Sequence, residues 1–133
     1  MDERKQDLCK YRIGQANETL VVAKECYQNK HYKDSINRSY YAAFYAVKSI
    51  LALGVVDFKR HKDVISFFNK NFVATDIFPR EIGKGLGRLQ QKREKSHYDD
   101  FYIASADEAA EQIAIAETTI STITEYLNKE QNN

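Results

Sequence analysis

The chain is 133 residues long, a one-domain length, and 43% hydrophobic, with nine Tyr and seven Phe to build a core without covalent staples. One Pro and five Gly leave too little turn material for an all-β fold, so long helices with short connections are expected. Twenty basic against 19 acidic residues give a net charge of +1, which neither points to nor excludes a nucleic-acid partner, because distribution on a face decides that.

The first predicted helix runs from about Arg4 to Gln28, with Leu8, Ile13, Ala16, Leu20, Ala23 and Tyr27 at mostly helical spacing. Cys9 and Cys26 both fall in it, about 25 Å apart along a helix and beyond the ~7 Å Cα limit for a disulfide. Unpaired thiols point to a reducing compartment. The charged N-terminal stretch MDERKQD has no apolar signal segment, and the longest apolar run, Tyr40 to Val47, is too short to span a bilayer. The expectation is a cytoplasmic protein with no membrane partner. Asn29-Lys30 marks a short turn.

The second predicted helix, from about Tyr32 to Leu53, carries Ile36, Tyr40, Ala43, Phe44, Val47, Ile50 and Leu51 as one apolar stripe. Its reverse face holds Tyr41, Tyr45, Ala42 and Ser49 rather than charges. Such a helix is buried on two sides, at the bundle centre or against a second subunit. Arg38, on the Tyr41/Tyr45 face, is a buried salt-bridge member or an interface contact, the former preferred. Gly54 supplies a stop.

A third helix, about His61 to Val73, offers Val64, Phe67, Phe68 and Phe72. A fourth, about Pro79 to Lys95, begins with Pro in its first turn. The fifth opens on a capping box, Ser105-Ala-Asp-Glu108, and continues with Ala109, Ile113, Ala116, Ile120, Ile123 and Leu127. The stretch Thr118 to Thr124 is β-branched, but its apolar residues recur at three and four, so helix is expected there too. The sum is one all-α domain over residues 1–133, a five-helix bundle of up-and-down type.

The fourth helix carries the candidate chemistry. At ~100° per residue, Ile82, Leu86 and Leu89 form its core-facing ridge, with Arg80, Lys84, Arg88 and Lys95 on the far side and Lys92 at the edge. A solvated cationic face is the ordinary explanation; contacts from Arg88, Lys92 and Lys95 to RNA phosphates are the sharper one. Arg93 differs, because it lies on the apolar ridge where another Leu is expected. Desolvating its charge costs several kcal/mol without a partner, so the ridge must open onto a groove, an acidic neighbour or a subunit interface. Asp99 and Asp100 are nearby candidates for pairing.

His97 follows Arg93 by one turn, so both share a face if the helix persists. Together they suffice to cut RNA without a metal. An imidazole titrates at about pH 6.5 and accepts a proton from a ribose 2′-hydroxyl, while a guanidinium grips the scissile phosphate and stabilises its added charge. A structural Arg–carboxylate pair beside an ordinary His is the alternative. Gly83, Gly85 and Gly87 follow no strand, so they form no dinucleotide loop, though they permit close backbone approach. His31 and His61, near helix starts, are expected in polar surface or capping roles. No Cys/His cluster has zinc spacing, and no metal or other cofactor is expected.

The stretch Asn37-Arg-Ser-Tyr-Tyr-Ala-Ala-Phe-Tyr-Ala46 resembles the R-x-YYA-x-F-x-A signature of HEPN-domain proteins of the UPF0332-like branch. Further matches are His61-Lys-Asp-Val64, Phe67 to Val73, Leu89, and the run from Arg93 through His97, Tyr98, Asp99 and Asp100 to Phe101, which resembles that branch's R-x-x-ADY-x-D-F ending. The resemblance implies a five-helix bundle, commonly a homodimer, often encoded beside a minimal nucleotidyltransferase in toxin–antitoxin pairs. It implies for catalytic members a metal-independent endoribonuclease leaving 2′,3′-cyclic phosphate, with Arg93 and His97 meeting across the dimer interface and Tyr98, Asp99 and Arg38 in support. The three residues between Arg93 and His97 are one short of the family spacing, and His97 stands where the branch usually has Asp. The other role the resemblance implies is a non-cutting member that binds a nucleotide or docks the nucleotidyltransferase.

Overall fold

The computed structural model describes residues 3–54 and 57–131; Met1 and Asp2 of the charged N-terminal stretch lie outside the described residues. Five α-helices follow in order: α1 (Glu3–Gln28), α2 (Tyr32–Leu51), α3 (His61–Phe68), α4 (Arg80–Tyr98) and α5 (Ala106–Gln131). A π-helical turn, Asn69–Val73, prolongs α3. Among the described residues no helix is long and apolar enough to cross a membrane.

α2 is the centre of the bundle and packs against every other helix. Its two-sided burial has a simple origin. Ser35, Ser39, Ala42, Ala46 and Ser49 are fully buried small residues, and Cys9, Ala16 and Ala23 of α1 are buried at intervals of seven. Ser35 Oγ donates to the Ala23 carbonyl at 2.8 Å, and the Arg12 guanidinium donates to the Lys48 carbonyl at 2.9 Å. These contacts make α1 and α2 antiparallel and bring Ala16 level with Ala42. Small side chains on both helices let the axes approach closely, much as ridges settle into shallow grooves. Lys30, at φ 65°, takes the left-handed conformation that reverses the chain between them.

This seam alters one expectation for α1. Leu8 is 41% exposed, and its neighbour Cys9 is buried instead, because the close α1–α2 approach selects the small side chain. The remaining apolar stripes behave as their periodicity implies. Ala109, Ile113, Ala116, Ile120, Ile123 and Leu127 of α5 are buried, as are Ile82, Leu86 and Leu89 of α4. Phe78, absent from the expected core, is buried among Phe68, Phe72 and Tyr126. A Cβ on Gly85 would come within 2.8 Å of Ile115 Cγ2, so α4 and α5 meet where a side chain is missing.

At the start of α5 the Ser105 hydroxyl accepts the Glu108 backbone N–H at 3.1 Å, half of the expected box. The Glu108 carboxylate reaches the Ser105 hydroxyl rather than its backbone N–H, accepting from it at Oε1 at 3.1 Å, while Oε2 accepts hydrogen bonds from Tyr102 and from Lys92 at 3.0 Å. Those donors, Tyr102 first, hold its carboxyl down at about 2. α4 continues three residues past the expected Lys95, so Arg93 and His97 share one continuous helix.

A half-buried arginine held by aromatic rings

α4 turns Arg93 inward against the part of α2 that carries Tyr40 and Tyr41. The guanidinium donates from Nη2 to Tyr41 Oη at 2.9 Å. Its Cζ lies 5.3 Å from the Tyr41 ring centre and 5.4 Å from that of Tyr40. Nε is buried without a hydrogen-bond partner. Asp99 and Asp100, the expected partners, are both exposed, and Asp99 Oδ1 accepts the Phe101 backbone N–H at 3.0 Å. Asp99 follows the last residue of α4 and faces away with the departing chain. Among the described residues no carboxylate forms an ion pair with Arg93. Aromatic faces attract a cation through their quadrupole but do not cancel its charge. Arg93 is therefore positioned and still free to meet an anion.

His61 completes the cluster, against the expectation of a surface or capping role. It opens α3, and the packing of α3 on α2 lays its ring on Phe44, centroids 4.1 Å apart at 26°. Tyr41 meets it edge-on at 5.7 Å, and Tyr40 Oη lies 3.1 Å from its Nδ1. Burial first, and then the positive charges of Arg93 and Lys48, push its pKa below the ordinary imidazole value, so the ring is neutral at pH 7. Burial likewise raises the Tyr40 phenol to about 12, against the opposing pull of Arg93. The signal for His61 was present in the sequence as the first residue of the His61-Lys-Asp-Val64 match. Periodicity within one helix could not bring it to Arg93.

The other predicted residues are dispersed. His97 is exposed one turn beyond Arg93, its ring edge-on to Tyr98 at 4.7 Å, and no hydrogen bond joins it to Arg93 among the described residues. Tyr98, Phe101 and Ile103 are 74%, 92% and 87% exposed, an apolar patch where the chain leaves α4. Arg38 is exposed rather than a buried salt-bridge member, because the outer flank of α2 there faces solvent. Arg88, Lys92 and Lys95 line a groove of about 350 Å³ between α4 and α5 with Gln91, Glu111 and Gln112. Lys92 is already paired with Glu108, which lowers the groove's net positive charge. The described residues contain no group of His, Cys, Asp and Glu that could hold a metal ion.

Four helices packed around a two-sided α2, with an inward arginine on α4, define the class, and the matching family model agrees. The chain belongs to the HEPN domain family, whose model matches residues 9–126. It is 29% identical over 119 residues to a Thermotoga maritima protein named as a UPF0332 protein, covering 90% of both chains. Two Methanocaldococcus jannaschii proteins named as candidate toxins are 32% and 28% identical over 83 and 87 residues. Those matches cover 62% and 65% of this chain and 62% and 59% of the relatives.

Proposed function

We propose that this chain is a metal-independent endoribonuclease of the HEPN toxin type, working as a homodimer whose site combines Arg93 and His97. The observation that carries the proposal is the half-buried Arg93 guanidinium, held over two tyrosine rings with no carboxylate paired to it among the described residues. Such a group binds a phosphodiester and stabilises the extra charge of its pentacoordinate transition state. His97 accepts the proton of a ribose 2′-hydroxyl as that oxygen attacks phosphorus. The P–O5′ bond breaks, the 5′-oxygen leaves and takes up a proton, and a 2′,3′-cyclic phosphate remains. Tyr98 and Asp99 frame His97, Arg88, Lys92 and Lys95 contact RNA phosphates further along, and Arg38 borders the site from α2. The apolar Tyr98, Phe101 and Ile103 beside His97 support a second copy covering this end of the bundle.

The test is cleavage of RNA by purified protein in EDTA, with 2′,3′-cyclic phosphate ends and loss of activity in His97→Ala. Cutting that requires a metal, or survives that substitution, overturns the proposal. The exposed position of His97, away from Arg93, favours one other reading, a non-cutting HEPN dimer that binds a nucleotide or docks a minimal nucleotidyltransferase. That reading requires stoichiometric capture of the neighbour-encoded nucleotidyltransferase by protein without nuclease activity.

A further inference from the structure

We propose that His61 belongs to the Arg93 phosphodiester site within a single protomer, where its neutral ring donates an Nε2–H hydrogen bond to the RNA backbone. This rests on reading Arg93 as a phosphate-binding group. The proton's position follows from hydrogen-bond accounting. Tyr40 is 2% exposed, and its hydroxyl has one partner among the described residues, His61 Nδ1. A buried hydroxyl proton needs an acceptor, so Tyr40 donates and Nδ1 accepts. In a neutral imidazole the remaining proton must then sit on Nε2. The opposite tautomer would bury the phenol proton with no acceptor among the described residues.

Among the described residues Nε2 has no hydrogen-bond partner, in a side chain that is only half-buried. Arg93 and His61 flank the same two rings: the guanidinium lies 5.4 and 5.3 Å from Tyr40 and Tyr41, the imidazole 6.1 and 5.7 Å. The charged groups acting on His61 are Arg93 from α4 and Lys48 from α2, both cations, and after burial they further disfavour its protonation. The result is an uncharged donor beside a charged one. This division suits a phosphodiester: Arg93 supplies the charge, and His61 supplies direction without the cost of holding two cations together. Because its Nε2 is occupied by a proton, His61 is a binding group and not the base, which leaves proton abstraction to a different residue.

The probe is a 2′-O-methyl oligoribonucleotide, which lacks the attacking hydroxyl and cannot be cleaved. Its affinity is measured for the wild type, His61→Phe, His61→Gln and Arg93→Gln. His61→Phe keeps the stack on Phe44 but removes the donor, and about a tenfold loss of affinity is expected, partly restored in His61→Gln. Wild-type affinity in His61→Phe with a loss in Arg93→Gln overturns the role of His61 and leaves the arginine site standing. Unchanged affinity in both removes the phosphate site itself. Nitrogen NMR of the histidine-labelled wild type covers the case in which His61→Phe does not fold. A protonated Nε2 that shifts on adding the oligonucleotide is expected; a protonated Nδ1, or an Nε2 signal that stays put, overturns the proposal.

Discussion

The two faces of α2 solve opposite problems. Toward α1 it presents Ser35, Ala42 and Ser49, small residues whose hydroxyls find partners, such as the Ala23 carbonyl for Ser35. Toward α3 and α4 it presents Tyr40, Tyr41 and Phe44, bulky rings that hold a cation and an imidazole. The first face is closed by close packing of small groups, even though Ser39 Oγ is buried there without a hydrogen-bond partner. The second is left incomplete: among the described residues, Arg93 Nε is buried with no acceptor and its charge has no ion-pair partner. A fold tolerates such an arrangement where something else supplies the missing partner. One helix thus carries structure on one side and candidate chemistry on the other.

Substitutions on the two faces should separate stability from activity. The largest effect is expected for Arg93→Met, which should reduce RNA cleavage by about 10²–10³-fold while leaving urea stability unchanged or raised by about 1 kcal/mol, since a half-buried charge with no ion-pair partner among the described residues is removed. Loss of folding together with activity would assign Arg93 to the scaffold instead. Ala42→Leu drives a branched side chain into the closed seam and should lower stability by about 3 kcal/mol, visible as a lower urea midpoint. Full stability in that variant would show that α1 and α2 are not held by close approach.

Smaller effects sharpen the same contrast. The folded His61 pKa lies below its ordinary 6.5, so between those two values the unfolded chain binds more protons. Stability should therefore be complete above pH 6.5 and fall as the pH drops through this window, and His61→Phe should flatten that slope. The lowered Glu108 acts separately: its contribution is present above 4.5 and is lost as the pH falls toward about 2. Smallest of all are the glycines of α4. Gly85→Ala gains helix propensity but meets Ile115 Cγ2 at 2.8 Å, for a net loss of about 1 kcal/mol. Gly87→Ala meets nothing within 4 Å and should stabilise by up to about 1 kcal/mol. Thermal melts of the pair test whether the gap at Gly85 is needed for α4–α5 packing.

Most of the helices were legible because their stripes are long and local. α5 shows this best: its alternation of three and four outweighed the β-branched stretch Thr118 to Thr124, and the residues are helical. Neighbouring apolar residues were harder to rank. Leu8 and Cys9 differ by one position, and only the spacing between helix axes favours the smaller one inside. For the site, Arg93 stood out as a cation on an apolar ridge, yet its partners were sought among Asp99 and Asp100 close in the chain. They proved to be Tyr41, 52 residues away, and the Tyr40–His61 pair, itself separated by 21 residues.

By itself, the sequence determined the five-helix bundle, the inward stripes of the helices other than α1 and the misplaced charge at position 93, because all of these follow from the 3.6-residue period of a single helix. The tertiary structure alone decided which rings receive that charge and which imidazole stands beside it. Crossing angle and register between helices set those neighbours, and neither quantity is written in the periodicity of any one segment.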